Sequence, residues 1–267
     1  MSYGGGTIMI IKPVTFLLAM LTFAHGAAAQ TPASPPPESA GPNTNIVRWA
    51  EGTYAYQSLN EKRPRAWEKF HMNVHPDGSR TMIMWHDLYA RNNQFTVVLR
   101  VAANFRPLES YLSYWTPGGY KGSNFTSVSG DKLSAITNGP IGQITQNLTI
   151  PERVSIGTHP VSADGWHTWY EDAKAKGAQK GTLYSVEATA DNNKPPLGVL
   201  IPFEFERIGK EKITVPAGTF DAIKYKLGGA SDAWVTEQDK LMIRVVNAPR
   251  NLEYVLTEFK SGDNAKK

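Results

Sequence analysis

Fifteen positions from Ile156 to Tyr170 hold His159, Asp164, Trp166, His167, Trp169 and Tyr170, a mixture of titratable groups and aromatic walls. A histidine with an ordinary pKa near ~6.5 serves as acid or base close to neutrality, and a nearby aspartate can orient it. These residues predict a site in a loop that leads into a short helix, with His159 or His167 exchanging protons, Asp164 orienting, and Tyr170, Tyr111 or Tyr114 polarising a substrate oxygen. Trp166 and Trp169, with Trp85, Tyr111, Tyr114 and Trp115, supply flat apolar walls for a ligand. The same residues also fit a structural arrangement in which the two tryptophans plug one end of a barrel and the histidines bond to backbone.

Other chemistry finds less support. His71, His75 and His86 fall on one hairpin, and a register pairing His75 with Arg80 places all three on one face. His71 and His75 stand ~13 Å apart along a strand, too far to share an ion, so only His71 with His86 lie near enough, and no metal site is assigned. Glu204 and Glu206 alternate with Phe203 and Phe205 as an outward polar face would. No Gly-x-Ser-x-Gly elbow is present. The absence of cysteine excludes disulfides, thiolate metal sites, a cysteine nucleophile and a lipobox anchor. The formal charge of +4 is spread thinly, without a basic run, which argues against nucleic acid. Lys266-Lys267 and the stretch from Lys62 to Arg65 read as solvated ends and turns, or as contacts to anionic lipid at a membrane surface. No cofactor is implied.

The elements that position these residues read as strands. Apolar and polar residues alternate from Trp67 to Val74, Pro76-Asp77-Gly78-Ser79 turns the chain, and Arg80 to Asp87 returns. Similar runs span Gln94 to Val101, Leu108 to Trp115, Asn124 to Ser129, Ser134 to Thr137 and Gln143 to Ile150. Others span Thr182 to Thr189, Val199 to Ile208, Lys212 to Val215, Asp221 to Leu227, Asp232 to Thr236, Leu241 to Asn247 and Leu252 to Phe259. Only Trp169 to Ala178 looks helical, closed by Gly177. The pattern predicts an all-β fold, an antiparallel barrel or strongly rolled sheet of about a dozen strands with one short helix.

At the N-terminus an apolar run from Pro13 to Ala24 follows Lys12, and Ala27-Ala28-Ala29 precede Gln30. This is the form of a cleaved export signal over residues 1–29, too short to serve comfortably as a membrane span. Residues 30–45, rich in Pro, Ser, Ala and Gly, read as a disordered tether. One β domain over residues 46–260 and a disordered tail over 261–267 complete the expected organisation, with the protein periplasmic or secreted.

The C-terminal third carries Lys212-Ile213-Thr214-Val215-Pro216-Ala217-Gly218-Thr219-Phe220-Asp221-Ala222, then Asp232-Ala233-Trp234-Val235-Thr236 and Leu241-Met242-Ile243-Arg244-Val245. In these segments the chain resembles the secreted bacterial proteins grouped as DUF3108. The resemblance implies an exported, barrel-like β protein and brings no catalytic residues with it. Together these readings lead to an exported, envelope-associated β-barrel that binds an apolar or amphipathic small molecule. The alternative is a cofactor-free lyase, isomerase or hydrolase, acting on an aromatic or lipid-like substrate with the same histidines and aspartate.

Overall fold

The computed structural model describes residues Asn45 to Val186 and Lys194 to Asn264. The export signal and nearly all of the tether lie outside the described residues, as do residues 265–267. Fifteen strands make one sheet: β1 Arg48–Ser58, β2 Pro64–Val74, β3 Arg80–Leu88, β4 Asn93–Val101, β5 Pro107–Thr116, β6 Gly119–Ser129, β7 Lys132–Gly139, β8 Gly142–Thr149, β9 Val154–Gly157, β10 Gln179–Val186, β11 Gly198–Val215, β12 Gly218–Leu227, β13 Ser231–Thr236, β14 Met242–Asn247 and β15 Leu252–Asp263. Their order is β8-β7-β6-β5-β4-β3-β2-β1-β15-β14-β13-β12-β11-β10-β9. All neighbours run antiparallel except β9 and β10.

Alternation along each strand sends one set of side chains inward. Phe70, Met72, Met82, Met84, Val97, Leu99, Leu112, Phe205 and Tyr225 are buried there. The two edge strands are not joined by a backbone ladder. Side chains bridge the seam instead: Gln146 on β8 donates to the Gly198 carbonyl (3.0 Å) and accepts from the Tyr184 hydroxyl (2.9 Å). Asn124 and Thr137 both donate to the Pro196 carbonyl at 3.3 Å. The sheet is thus rolled around an interior, as expected for an all-β barrel-like chain, with side chains rather than a backbone ladder tying β6, β7 and β8 to β10, β11 and the segment before it.

Four expectations are corrected. The β2–β3 loop has three residues, Pro76 to Gly78, since the His75 amide bonds the Ser79 carbonyl (2.9 Å) and Gly78 adopts φ 80°. That register pairs Val74 with Arg80, one residue from the expected pairing, so His86 opposes Glu68 and points inward while His71 and His75 stay on the outer face. Second, the segment from Trp169 to Ala178 is not a helix: its charged sequence has no apolar stripe to bury, and turns built on Asp172 and Gln179 replace it. The long helical segment is instead the 3-10 helix Val161–Thr168. Third, β15 continues to Asp263, which pairs with Arg48, so the folded unit extends past residue 260. Fourth, Val199 to Ile208 and Lys212 to Val215 fuse into β11, with a bulge between Arg207 and Gly209.

The chain from Thr158 to Thr168 runs through the interior as a plug. Its far end is fixed where Trp166 Nε1 donates to the Asp239 carbonyl (2.8 Å), and the Asp239 carboxylate sits between Arg48 (2.5 Å) and Arg80 (3.2 Å). Gly165 passes so close to the β13–β14 turn that a Cβ there would lie 2.0 Å from the Lys240 carbonyl oxygen. Backbone cannot yield as a side chain can, so Gly165→Ala is expected to cost about 1–3 kcal/mol. A urea unfolding midpoint equal to wild type would contradict this packing.

Candidate functional site

The plug is held by a buried carboxylate. Glu68 has no solvent exposure and faces inward from β2. It accepts hydrogen bonds from the Tyr56 hydroxyl and from the amides of Val161 (2.7 Å) and Ser162 (3.1 Å). The Val161 amide also reaches the Tyr56 hydroxyl oxygen at 2.9 Å. These amides open the 3-10 helix and would have no partner within it, so Glu68 serves as its N-terminal cap from across the barrel. Burial raises the Glu68 pKa to about 7, although each of these donors pulls it down.

Beside this cap two histidines meet. His86 Nδ1 and His159 Nδ1 are 3.2 Å apart, so one ring donates to the other. His86 Nε2 is buried without a partner. Leaving a bare lone pair there, rather than an orphaned N–H, requires His86 Nδ1 to carry the donated proton. His159 then bears its proton on Nε2, and its side chain is exposed whereas His86 is buried. His159 adopts φ 79°, a left-handed backbone uncommon for residues other than glycine. It stacks on Phe95 at 4.3 Å, and Phe95 stacks on Tyr114 at 4.4 Å. On the other side His86 packs on Tyr56 (4.5 Å), and Tyr56 on Tyr254 (4.3 Å). Burial, and then the His159 charge, hold His86 neutral and take its pKa down to about 3. His159 is exposed at the cleft, and desolvation against its ring neighbours, then Arg91, lower its pKa from the ordinary value.

His159 marks the end of a cleft of about 560 Å³, open to solvent, between the plug and the inner face of β10, β11, β14 and β15. Leu183, Val186, Val199, Ile201 and Phe203 form one wall; Asp164 and His167 face it from the plug, and Arg250 and Tyr254 close one side. The size lies within the ~300–1,000 Å³ usual for small-molecule sites.

Three of the four residues expected to do chemistry, His159, Asp164 and His167, therefore line one cavity. His167 Nε2 lies 3.4 Å from Asp164 Oδ1, and its ring meets Phe203 edge-on at 5.5 Å. Tyr170 does not join them. It packs on Trp169 and Phe205, its hydroxyl is buried without a partner, and burial pushes its pKa up to about 12. The expected aromatic walls are also elsewhere. Trp85, Tyr111 and Trp115 occupy outer-face positions of β3 and β5 and are exposed. Tyr114 points inward but is sealed in the stack on Phe95, with Asn93 donating to its hydroxyl at 3.1 Å. Trp166 is core, and Trp169 is anchored by Nε1 to the Val154 carbonyl (2.9 Å).

No family model matches the sequence, and no curated protein matches it. Solved structures do. A β-barrel-like protein of the domain of unknown function DUF1849 from Brucella abortus superposes with a TM-score of 0.52 at 8% identity, covering 82% of this chain and 98% of that one. A DUF1089 family protein from Pseudomonas aeruginosa gives 0.38 at 12% identity, covering 67% and 87%. A protein with a YmcC-like fold from Bacteroides fragilis gives 0.28 at 11%, covering 80% and 94%. The first likeness establishes a barrel-like fold shared with that domain of unknown function, and nothing about a ligand.

Sequence reasoning missed Glu68, Tyr56 and the β10–β11 wall. Glu68 sits among charged residues in an alternating strand, and only the true register of the hairpin shows that it points inward. The wall left a signal in Val199-Leu200-Ile201, an apolar run beyond what alternation requires.

Proposed function

We propose that this protein is an exported binding protein of the cell envelope, and that the cleft beside the plug holds an apolar or amphipathic small molecule. The observation that carries this reading is the wall of β11. Val199 and Ile201 are 49% and 40% exposed although they face a deep cleft, beside Leu183, Val186 and Phe203. Apolar surface left open within a concavity is stabilised by a ligand that removes it from water, at about 25 cal/mol per Å². The export pattern in residues 1–29 and the DUF3108-like motifs support the location.

Binding is read with the neutral fluorophore N-phenyl-1-naphthylamine, whose emission rises in apolar sites. The wild-type protein is expected to take it up saturably. The double variant Val199→Asp/Ile201→Asp places two charges on the wall and is expected to bind at least tenfold more weakly while keeping its circular dichroism. Equal uptake by both proteins would remove the cleft from consideration.

A second reading, a cofactor-free acid–base enzyme on an aromatic or lipid-like substrate, is supported by the convergence of His159, His167 and Asp164 on the cleft. Under it Asp164 orients His167, and His159, positioned by His86, presents a neutral ring to the substrate.

A further inference from the structure

Antiparallel topology gathers one set of turns on one margin of the rolled sheet. The β1–β2 turn, the β3–β4 turn, the β14–β15 turn and the start of β2 all lie there, as does Gly157, from which the chain enters the plug. Arg65, Arg91 and Arg250 belong to these segments: Arg65 beside the bulge where β2 joins β1, Arg91 in the 3-10 turn Tyr89–Arg91, and Arg250 in the 3-10 turn Ala248–Arg250. Arg250 lines the cleft together with Tyr254 and His159.

All three segments lie on the margin at which the cleft opens, and Arg250 lines the cleft itself. Burial and then Asp164 push the Tyr254 hydroxyl up, while Arg65, Arg250 and Arg91 all pull against them, and Arg91 also acts on His159. Most other basic groups nearby are matched with acids. Lys62 and Arg244 hold Glu253 at 2.5 Å each, and Arg63 acts on Glu61, which also accepts from Asn251. Arg65, Arg91 and Arg250 form no ion pair and no side-chain hydrogen bond among the described residues. The remaining acids form no ion pair with them among the described residues: Asp87 lies on the outer face of β3 opposite Trp67, and Asp164 faces His167 inside the cleft.

Three guanidinium groups without carboxylates, at the opening of an apolar cleft, form a receptor for a negative headgroup. We propose that the cleft takes an anionic amphipath, its apolar tail along the β10–β11 wall and its carboxylate, phosphate or sulfate at the mouth on Arg65, Arg91 and Arg250. This rests on the cleft being the binding site and adds the class of ligand. Asp164 gives the head its direction, because a negative group driven down to the plug would meet that carboxylate, whereas at the rim it meets three cations.

The test compares chain-matched competitors for the bound fluorophore: dodecanoate and dodecyl phosphate as anions, dodecyl maltoside as the neutral molecule, dodecyltrimethylammonium as the cation, and inorganic phosphate as a head without a tail. Both anions are expected to displace the fluorophore at concentrations at least tenfold below the neutral and cationic amphipaths, with the ratio shrinking between 50 and 500 mM salt. Inorganic phosphate is expected not to compete. In Arg65→Gln/Arg91→Gln/Arg250→Gln the ratio is expected to fall to about one, and the corresponding triple lysine variant keeps most of it; thermal melts confirm that both are folded. Equal displacement by all amphipaths in the wild type, a ratio that survives in the glutamine variant, or competition by phosphate alone would overturn the headgroup assignment while leaving the cleft as an apolar site. Absence of fluorophore uptake by the wild type would overturn both.

Discussion

Glu68→Leu is expected to destabilise the folded protein by about 3–5 kcal/mol, the largest effect of any single substitution in the plug's surroundings. The leucine fills much of the volume but offers no acceptor. The Ser162 amide and the Tyr56 O–H then lose their acceptor, and the Val161 amide keeps only the Tyr56 oxygen. Each buried polar group left unsatisfied costs roughly 1–3 kcal/mol, and no water reaches a position where Glu68 itself has no exposure. Glu68→Gln retains an acceptor for the two amides and is expected to lose far less at neutral pH. Urea unfolding of the two variants measures the difference. A leucine variant within about 1 kcal/mol of wild type would show that the plug does not depend on this cap.

A loss at Glu68 also reaches the site, since Val161 and Ser162 follow His159 by two and three residues. The left-handed backbone at His159 is held between the cap on one side and the Phe95 stack on the other. Such a conformation persists only where its surroundings over-determine it. The leucine variant should therefore bind the fluorophore heterogeneously even at temperatures where it remains folded.

Strand content was legible in the sequence because alternation survives wherever one face is buried. It failed at β1, where the inward position between Ala50 and Tyr54 is Gly52. A Cβ there would lie 2.7 Å from the Phe70 ring, so close packing requires the residue that erases the pattern. It failed again at β9, whose four residues are all buried and so show no alternation. The candidate site was half legible. Residue types singled out His159, Asp164 and His167, which line one cavity because they lie within nine positions on one segment. Their partners come from β2, β3, β10 and β11, and nothing in the spacing of those residues announces a contact across the barrel.

The register of the β2–β3 hairpin shows how one residue decides which side chains face the interior. With a four-residue loop His86 would have shared the solvent face with His71 and His75. With Gly78 left-handed and the loop one residue shorter, it enters the interior opposite Glu68. A histidine and a carboxylate in the same buried layer then face opposite pressures from the same burial.

Those pressures predict stability profiles that nearly cancel in the wild type and separate in two variants. His86 is buried and its folded pKa, about 3, lies below the ordinary 6.5. The unfolded chain accepts a proton that the folded one refuses, so this contribution is complete above about pH 6.5 and is lost as pH falls toward 3, by roughly 2 kcal/mol at pH 5. Glu68 runs the other way. Its folded pKa, about 7, exceeds the ordinary 4.5, so its proton is held more tightly in the folded state and stability declines as pH rises through 7, by roughly 3 kcal/mol in all. Between pH 5 and 6.5 the two slopes oppose each other. Relative to wild type, Glu68→Gln should therefore gain about 3 kcal/mol between pH 5 and pH 8, whereas His86→Phe should gain about 2 kcal/mol between pH 7 and pH 5. Taking differences from the wild type at each pH removes the ordinary contributions of Glu171 and Glu253, whose pKa values are lowered against burial by hydrogen bonds from Tyr225 and Arg207 and from Lys62, Gln57 and Arg244, and which all three proteins share. Urea unfolding at half-unit steps measures both. Parallel profiles for the three proteins would mean that neither side chain changes its protonation on unfolding in this range, and the buried layer would then hold its charges by some other arrangement than the one seen between Glu68, Tyr56, His86 and His159.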